Sequence, residues 1–481
     1  MSRFTNHYLQ LPSHFYREQQ PEPLEQARLL HFNQPLAQEL GLTLSSEQLL
    51  QITAGQALAT GMTPIAQKYT GHQFGYYNPD LGDGRGLLLG QIFDAEHTSW
   101  DLHLKGAGRT PFSRRGDGRA VLRSAVREYL VGEALHHLGV PTSRCLSLCH
   151  SPETVWREQP ETRASYLRVA RTHIRFGHFE WLAEQRDYSG FTALAEYVIR
   201  HIYPHLAELP APERYAELYR EICRRTAALV AQWQAVGFCH GVMNSDNMSV
   251  AGETFDFGPY AFLDDFKLHY VCNHSDHEGR YAYSQQPNIA LWNCQVLGQA
   301  FATLLSSAQI ESGLTHFVEH YNQCYLQAMG AKFGLISPAT ESKHFIADSL
   351  ILLDQSGLDF HHFFRLLAKL ETDEEDQWWA FVGHSKAWRE WHSRYLQQTQ
   401  TLDRKACRTQ IESHSAQFIL RNHIAQTVIE QCTQGNDTLL ANTMQWLQTP
   451  FAPPEQLQQQ YPHFLHPPAA HQKGLALSCS S

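Results

Sequence analysis

At 481 residues the chain can bury large cores, and its length allows about two to four domains. Its 38 basic and 48 acidic side chains give a net charge of −10, which makes nucleic acid or an anionic membrane a poor main partner. No run of about 18 apolar residues is present, so no membrane span is predicted. The first twenty residues lack the apolar core of a signal peptide, and the 10 cysteines form no CxxC pair. We therefore expect a cytoplasmic protein with reduced thiols and with neither a nucleic-acid nor a membrane partner.

The predicted elements change character along the chain. Residues 1–65 are predicted to form an N-terminal extension with helical pieces, including one over 24–40 that Gly41 would end. A segment rich in strands and glycines follows, with predicted strands over 87–93 and 100–105. The second of these strands alternates polar and apolar residues up to a lysine.

Helices are predicted to dominate the rest of the chain. Residues 119–138 carry apolar side chains at spacings of three and four, which is typical of a helix with one buried face. A second helix is predicted over 212–236, where Gly237 would end it. Residues 290–445 are mostly helical by pattern, and residues 449–474, rich in Pro, Gln and His, are predicted to form a loosely ordered tail.

A glycine-rich segment lies just before the first predicted strand. Gly82 and Gly84 would let backbone amides approach a phosphate closely, and Arg85 between them and the strand adds positive charge. An ordinary glycine-rich hairpin turn is the alternative interpretation. The position of this segment before a strand, a lysine and a helix favours phosphate binding.

A lysine and a glutamate follow on the next two predicted elements. Lys105 ends its strand, and Glu128 lies on the helix over 119–138. In protein kinases a strand lysine contacts phosphate and pairs with a glutamate on the following helix. Arg127 competes for Glu128, and a surface lysine with a solvated glutamate is the alternative.

Two further basic segments are candidates for contacting an anion. Asp117 and Gly118 immediately precede the helix, whose N-terminus with its glycines and arginines is suited to an anion, although Asp117 also suits a simple helix cap. Arg168, Arg171 and Arg175 are spaced by three and four residues, so they would converge on a triphosphate or form a basic face in water.

The most specific motif begins at His240, in a loop that directly follows a predicted helix. It resembles the catalytic loop of a protein kinase, with Asn247 at the metal-binding position and an Asp-Phe-Gly tripeptide starting at Asp256. Val242 stands where a kinase has its catalytic aspartate and cannot accept a proton, whereas the other two residues keep oxygen ligands for Mg²⁺. Asp246 is the candidate replacement base, and an acidic residue that binds metal or caps a turn is the alternative.

Together these segments resemble the selenoprotein O family, of the bacterial YdiU type, from about Tyr69 to the C-terminus. The family transfers AMP, rather than phosphate, from ATP bound in an inverted orientation to Ser, Thr or Tyr hydroxyls of proteins, and similar bacterial proteins use UTP with Mn²⁺. The most specific stretches are YTGHQFG at 69–75, LKGAGRTP at 104–111, GDGR at 116–119 and HGVMNSDNM at 240–248.

The resemblance implies an α+β fold of the protein-kinase-like bilobal type. It places a β-rich N-lobe at 66–178 and a helical C-lobe at 179–400, with helical extensions at 1–65 and 401–481. ATP and protein substrates are the implied partners, with self-modification included.

The resemblance also implies a role for each candidate residue. Asp246 would accept the proton, Asn247 and Asp256 would hold Mg²⁺ or Mn²⁺, and Glu128 would pair with Lys105. The residues implied to bind nucleotide are Gly82, Gly84, Arg85, Lys105, Asp117, Gly118, Arg168, Arg175 and Asp256.

Two other functions stay open: an ordinary kinase in which Asp246 replaces the missing base, and a catalytically inactive pseudokinase that serves as a scaffold. Val242 disfavours the kinase, and retention of the metal-binding residues disfavours the scaffold.

Two cysteines suggest a regulatory disulfide. Cys272 lies in the region of a kinase activation segment, and Cys479 lies near the C-terminus, where animal members of the family have selenocysteine. Two unrelated free thiols are the alternative.

Overall fold

The computed structural model describes residues 4–336, 338, 342–475 and 477 of the chain. The first third of these residues forms most of a nine-stranded antiparallel sheet, and two short strands pair separately further along the chain. The strands are β1 (Tyr16–Glu18), β2 (Arg28–Phe32), β3 (Ile65–Gln73), β4 (Tyr76–Gly82), β5 (Gly86–Phe93), β6 (Ser99–Lys105), β7 (Ala120–Val121), β8 (Arg144–Trp156), β9 (Pro160–Ala170), β10 (Phe238–Cys239) and β11 (Ala261–Phe262).

The order of strands in the large sheet is β1-β3-β5-β6-β9-β8-β2, with β4 paired to β3 and β7 to β9. Its register brings distant residues together: Lys105 on β6 lies opposite Gly86 on β5 and opposite Tyr166 on β9. Arg168 lies two residues further along β9, opposite His103. Because side chains alternate between the two faces of a strand, Tyr166 and Arg168 lie on one face of β9.

Helices account for most of the remaining chain. They are α1 (Gln34–Glu39), α2 (Ser46–Thr53), α3 (Leu122–His137), α4 (Phe176–Glu184), α5 (Tyr188–Ile202), α6 (Ala211–Ala235), α7 (Gln286–Phe301), α8 (Ser307–Lys332), α9 (Ser342–Ser356), α10 (Phe360–Leu367), α11 (Glu375–Val382), α12 (Lys386–Thr399), α13 (Arg404–His414), α14 (Asn422–Thr433), α15 (Thr438–Leu447) and α16 (Glu455–Gln460). No helix among the described residues has the length and apolar character needed to cross a membrane.

The largest apolar core joins the sheet to the helices. It contains Tyr8 near the N-terminus and Phe464 near the C-terminus, together with the buried faces of α3 and α6. Helix α3 is buried along almost its whole length, because it packs between the sheet and α14 and α15. This burial fixes the position of Glu128, which is 4% exposed.

The structure confirms the long elements predicted from periodicity. Helices α3 and α6 and strands β5 and β6 lie within one to three residues of their predicted bounds, and 290–445 is mostly helical. The architecture is mixed α and β with a large antiparallel sheet, which agrees with the predicted α+β class. The two-lobed kinase-like arrangement and its domain limits stay predictions.

The predicted helix over 24–40 is wrong. Residues 28–32 form β2, which pairs with β8, and only the short α1 follows. Asn33 ends the extended segment, because its side chain accepts a hydrogen bond from the amide of Leu36 and so caps α1. Strands β1 and β2 thus make the described part of the predicted N-terminal extension, residues 4–65, contribute to the large sheet.

The loosely ordered tail predicted over 449–474 is also wrong. Helix α16 and two short 3₁₀ turns lie within it. Leu457 and Phe464 are buried, and the ring of Tyr461 lies 5.4 Å from that of Trp446. Aromatic and leucine side chains therefore hold this segment against the helical core despite its many Gln and Pro residues.

Candidate active site

One cleft, of about 720 Å³, brings most of the predicted site residues together. Arg168 and Arg175 are fully buried behind it and reach it through Asp256. The predicted residues that line the cleft are Gly82, Gly84, Arg85, Lys105, Asp117, Gly118, Glu128, Asp246, Asn247 and Asp256.

Backbone positions that require glycine shape the sheet side of this cleft. Gly118 has φ +73°, and a Cβ atom there would lie 2.0 Å from the carbonyl oxygen of Gly108. A Cβ atom on Gly84 would lie 3.0 Å from the carbonyl oxygen of Phe112. At both positions two segments of backbone therefore approach each other closely. The exposed Arg85 lies in the turn between β4 and β5 and lines the cleft.

Asp256 is the centre of a cluster of cations. Its Oδ1 lies 2.9 Å from Lys105 Nζ and 2.8 Å from Arg168 Nη2, and its Oδ2 accepts a hydrogen bond from Arg175 Nη1. Burial alone would raise the pKa of this carboxyl, but Arg175, Lys105 and Arg168 hold it well below its ordinary value. Burial and the Arg168 charge lower the pKa of Lys105 to about 8. Asp256 therefore stays ionised throughout the neutral range.

The predicted ion pair between Lys105 and Glu128 is replaced in the structure by a bridge through Arg168. Arg168 Nε donates to Glu128 Oε1 over 2.7 Å, while its Nη2 reaches Asp256. Tyr166 Oη donates to the other oxygen of Glu128 over 2.5 Å. Tyr166 and Arg168 both reach Glu128 because they lie two residues apart on β9, so their side chains lie on the face of the strand that meets α3. Glu128 thus anchors Arg168, which in turn contacts the same carboxylate as Lys105.

Arg127, the other candidate partner of Glu128, points elsewhere. Its Nη2 donates to the carbonyl oxygen of Tyr260 over 2.7 Å, and its guanidinium lies 4.2 Å from the centre of the Tyr260 ring. Arg127 therefore does not compete with Lys105 for Glu128, because successive residues of α3 point toward different partners.

Asp246 is a buried carboxylate with little compensation. Gln73 Nε2 donates to its Oδ2 over 3.2 Å, and its Oδ1 has no hydrogen-bond partner among the described residues. Burial raises the pKa of Asp246 to about 7, although the nearby Arg175 opposes this shift. A carboxyl that titrates near neutral pH is suited to accept a proton.

The loop that carries Asp246 is held by β3. The hydroxyl of Ser245 accepts a hydrogen bond from the amide of His72 over 2.7 Å, and Asn244 accepts one from the amide of Phe74 over 3.2 Å. Asn247 Nδ2 donates to the carbonyl oxygen of Val242 over 3.0 Å. That bond uses the amide nitrogen and leaves the oxygen of Asn247 as its remaining ligand atom at the cleft.

Asp256 enters the cleft from a strained backbone position. Its φ is +59°, which is uncommon for any residue other than glycine. From the sequence, residues 248–255 are predicted to form a short hairpin that turns near Ala251 and Gly252. That prediction is wrong, because single bridges instead join Ser249 to Arg175 and Thr254 to Thr142. These bridges to neighbouring segments direct Asp256 toward its cations.

Two residues of the site were missed at the sequence level. Arg157, in the turn between β8 and β9, forms two hydrogen bonds of 2.8 and 3.0 Å with Asp117 and lines the cleft. Gln73, at the end of β3, is the residue that donates to Asp246. Gln73 lies in the family-like stretch 69–75, which is a usable signal, whereas Arg157 is in no such motif.

The oxygen atoms at the cleft fit a divalent cation that takes part of its ligands from outside the protein. Asn247 and Asp256 supply amide and carboxylate oxygens, which Mg²⁺ and Mn²⁺ prefer. Among the described residues, no group of three His, Cys, Asp or Glu side chains is arranged to hold a metal. Such an ion would therefore depend on phosphate oxygens and water for its remaining ligands.

A cleft that combines glycine turns, buried cations and two acidic oxygen donors is typical of a nucleotide-dependent transferase. Comparison with known proteins gives the same class. A family model described as "Protein adenylyltransferase SelO" matches residues 1–448, and the chain belongs to this family.

Several relatives are similar over their full length. A protein of Hydrogenovibrio crunogenus is 51% identical, with 98% of this chain and 99% of the relative covered. Proteins of Erwinia tasmaniensis and Vibrio vulnificus are 42% and 40% identical, again over 99% or more of both chains. All three are named "Protein nucleotidyltransferase YdiU".

The structure describes one of the two cysteines that are predicted to form a redox pair. Cys272 is a buried free thiol whose Sγ lies 3.5 Å from Sγ of Cys239. Cys479 lies outside the described residues. Leu477, two residues before it, accepts a hydrogen bond at its carbonyl from the amide of His274, two residues after Cys272.

Proposed function

We propose that this protein transfers AMP from ATP to hydroxyl groups of Ser, Thr or Tyr side chains in proteins, itself included, and releases pyrophosphate. The observation that carries the proposal is the pair of buried carboxylates in one cleft: Asp246 with a pKa of about 7, and Asp256 held ionised by three cations. Membership of the adenylyltransferase family and the names of the relatives support the same reaction.

The proposed proton acceptor is Asp246. As the hydroxyl oxygen forms a bond to the α-phosphorus, its proton passes to the carboxylate, and the bond from the α-phosphorus to the pyrophosphate oxygen breaks. The Oδ1 atom has no partner among the described residues, so it is free to take the proton. Because its pKa is about 7, a large fraction of Asp246 is ionised at neutral pH and the acid is still weak enough to hold a proton.

The proposed role of the cations is to stabilise the charge of the phosphates. Lys105 lines the cleft itself, and Arg85 and Arg157 lie at its exposed rim. Arg168 and Arg175 act from behind through Asp256, which they contact directly. A fixed set of positive charges in a mostly buried site lowers the energy of the transition state without reorganising as pyrophosphate leaves.

Asn247 and Asp256 would hold Mg²⁺ or Mn²⁺, which would neutralise phosphate charge when bound. We further propose that the nucleotide lies in the inverted orientation, because this presents its α-phosphate to the acceptor hydroxyl. In that orientation a base at Val242 would lie in the wrong place, which accounts for valine at the position of the kinase aspartate.

We also propose the kinase-like two-lobed arrangement. The order of elements supports it: a strand that ends in Lys105, a helix with Glu128, and then α6, the loop with Asp246 and the Asp-Phe-Gly tripeptide at Asp256. The large antiparallel sheet precedes the mainly helical part, as that fold requires.

The decisive experiment is transfer of label from ATP that carries it at either the α- or the γ-phosphate, with Mg²⁺ and with Mn²⁺. Asp256→Ala tests the site, and Asp373→Asn, a change in an exposed carboxylate, is the matched control. Label that reaches protein from the α-position alone and is lost only in Asp256→Ala is expected. Transfer from the γ-position alone would mean a kinase, and nucleotide binding without any transfer to mixed cell proteins would mean a scaffold.

The acceptor and the nucleotide are tested in the same reaction. Peptide mass spectrometry of the labelled proteins, including the enzyme, is expected to place the adenylyl group on Ser, Thr or Tyr. A parallel reaction with α-labelled UTP and Mn²⁺ tests the proposed transfer of UMP. Adenylyl groups found only on lysine would contradict a hydroxyl acceptor.

We also propose a disulfide between Cys272 and Cys479 that would make activity depend on the redox state of the cell. The hydrogen bond between His274 and Leu477 supports it, because it holds Leu477 beside the segment that carries Cys272. Peptide mapping without reductant, after treatment with oxidised glutathione, is expected to find this pair. A disulfide from Cys272 to Cys239, or two free thiols, would contradict it.

A further inference from the structure

A second cleft, of about 670 Å³, lies among the helices of the second half of the chain. Its walls come from the ends of α3, α6 and α8 and from parts of α10 and α13. It has no lining residue in common with the candidate active site. Its volume is that of a typical site for a small organic molecule.

Lys332, in the last turn of α8, is a buried cation in the wall of this cleft. It is 4% exposed, and its Nζ donates one hydrogen bond, to the carbonyl oxygen of His414 over 2.9 Å. The rings of Phe364 and Phe360 lie 4.7 and 5.5 Å from the same nitrogen. Among the described residues, no carboxylate forms an ion pair with it, which is unusual because buried lysines are normally paired.

Two acidic residues beside the start of α10 are already engaged. Asp359, which caps α10, and Asp264 both pair with Arg421, at 2.9 and 2.7 Å. His361, on α10, also lines the cleft and is 5% exposed, yet its Nε2 has no hydrogen-bond partner among the described residues. The cleft thus has a cation without a counter-ion and a ring nitrogen without a partner.

The remaining walls are largely apolar. The apolar lining residues include Ala328 and Ala331 on α8 together with Leu138, Ile419 and Phe451. An apolar lining with a few convergent polar groups is typical of a site that binds a small molecule in one orientation. The charge of the polar groups determines which molecule fits.

We propose that this cleft binds a small amphipathic anion, with a carboxylate or phosphate monoester group on Lys332 and an apolar body against Ala328, Ile419 and Phe451. The anion supplies a counter-charge that Lys332 lacks among the described residues. Carboxylate and phosphate monoester share this chemistry, so the test compares both.

Binding of an anion at Lys332 is expected to change the protonation of this lysine, which can be measured. Burial lowers the pKa of this lysine to about 7, so much of it is neutral at pH 8. A bound anion favours the charged form and raises the pKa, and binding at pH 8 should therefore take up a proton. The other ionisable groups that line the cleft are His137, Cys324, His361 and His414, and Arg365, Arg421 and its partner Asp359 lie close to His361.

The test is calorimetric titration of the full chain with octanoate and octyl phosphate, and with octanol and inorganic phosphate as probes that lack the charge or the apolar body. We expect both amphipathic anions to bind with uptake of a proton at pH 8, measured from the heat in two buffers of different ionisation enthalpy. Lys332→Met should weaken binding about tenfold or more and abolish the uptake of the proton. Lys386→Met, a change in a fully solvated lysine, should leave both unchanged.

Ala328→Trp provides a second variant, because it fills the cleft and leaves Lys332 in place. Circular dichroism and thermal unfolding verify that each variant is folded, and loss of octanoate binding in folded Ala328→Trp is expected. Binding of octanol as tight as that of octanoate, unchanged binding in Lys332→Met, or no binding of either anion would overturn the proposal. None of these results depends on transfer activity.

Discussion

Replacing Asp246 by asparagine should stabilise the folded protein above about pH 7 and abolish transfer. The folded-state pKa of this buried carboxyl is about 7, against 3.8 for an unperturbed aspartate. At about 1.4 kcal/mol per pKa unit, ionising it in the folded state costs about 4 kcal/mol relative to the unfolded chain. This is the upper limit of the gain, and about 2 kcal/mol is expected because the new amide must also find hydrogen-bond partners.

The sign of the effect follows from the raised pKa. Below about pH 4 the carboxyl is protonated in both states, so the substitution should change the free energy of unfolding little. Between about pH 4 and pH 7 only the unfolded chain releases the proton, and the wild-type protein loses stability relative to Asp246→Asn as the pH rises. Above about pH 7 the difference should be constant.

Urea unfolding of both proteins, followed by tryptophan fluorescence at several pH values between about 5 and 8.5, measures this difference. Asp373→Asn, at an exposed position, should show no such trend and is the control. A difference that does not change with pH, or a wild-type protein that is the more stable at about pH 8, would refute the electrostatic account of Asp246.

Four further results are expected. The kcat/KM for transfer should rise about tenfold per pH unit below pH 7 and level off above it, because Asp246 must be ionised to accept the proton; a pH-independent rate would contradict this. Asp256→Asn should lower the free energy of unfolding by about 3–5 kcal/mol, since it leaves buried cations without their counter-ion; urea unfolding measures it. Glu128→Gln should reduce kcat about a hundredfold with a smaller change in the KM for ATP, because it frees a buried arginine behind the cleft; steady-state kinetics separates the two. Gly118→Ala should cost about 3 kcal/mol or more, because its φ is +73° and its Cβ would meet the carbonyl oxygen of Gly108; an unchanged unfolding midpoint would contradict the close approach.

The elements predicted correctly from the sequence are those whose signal is local. Helices α3 and α6 carry their own apolar periodicity, and burial of that stripe is all that their formation requires. Strand β2 was missed because its five residues become a strand only by pairing with β8, far along the chain. The order of the segment around Leu457 and Phe464 likewise depends on partners such as Trp446, which no local pattern identifies.

The candidate site divides in the same way. Asp246, Asn247 and Asp256 could be placed together from the sequence, and they do line one cleft, because the loop motif at 240–248 and the Asp-Phe-Gly tripeptide are local patterns. Arg168 was not predicted as the partner of Glu128, because this pairing depends on the register of β9, which places Arg168 beside α3. A register is a property of the folded sheet. Spacing along a chain identifies which residues belong to a site, whereas the partner of each charge is decided by tertiary packing.

The two aspartates of the cleft illustrate how packing assigns the chemistry. Both are buried, and burial alone would raise the pKa of each. Arg175 contacts the side chain of Asp256 but only the backbone carbonyl of Asp246, over 2.7 Å. The Arg175 guanidinium, together with Lys105 and Arg168, therefore keeps Asp256 ionised, whereas burial outweighs Arg175 at Asp246 and leaves its pKa at about 7. A cleft in which two like groups have pKa values so far apart can use one as a permanent charge and the other as a proton acceptor, so the proposed transfer does not require a base at position 242.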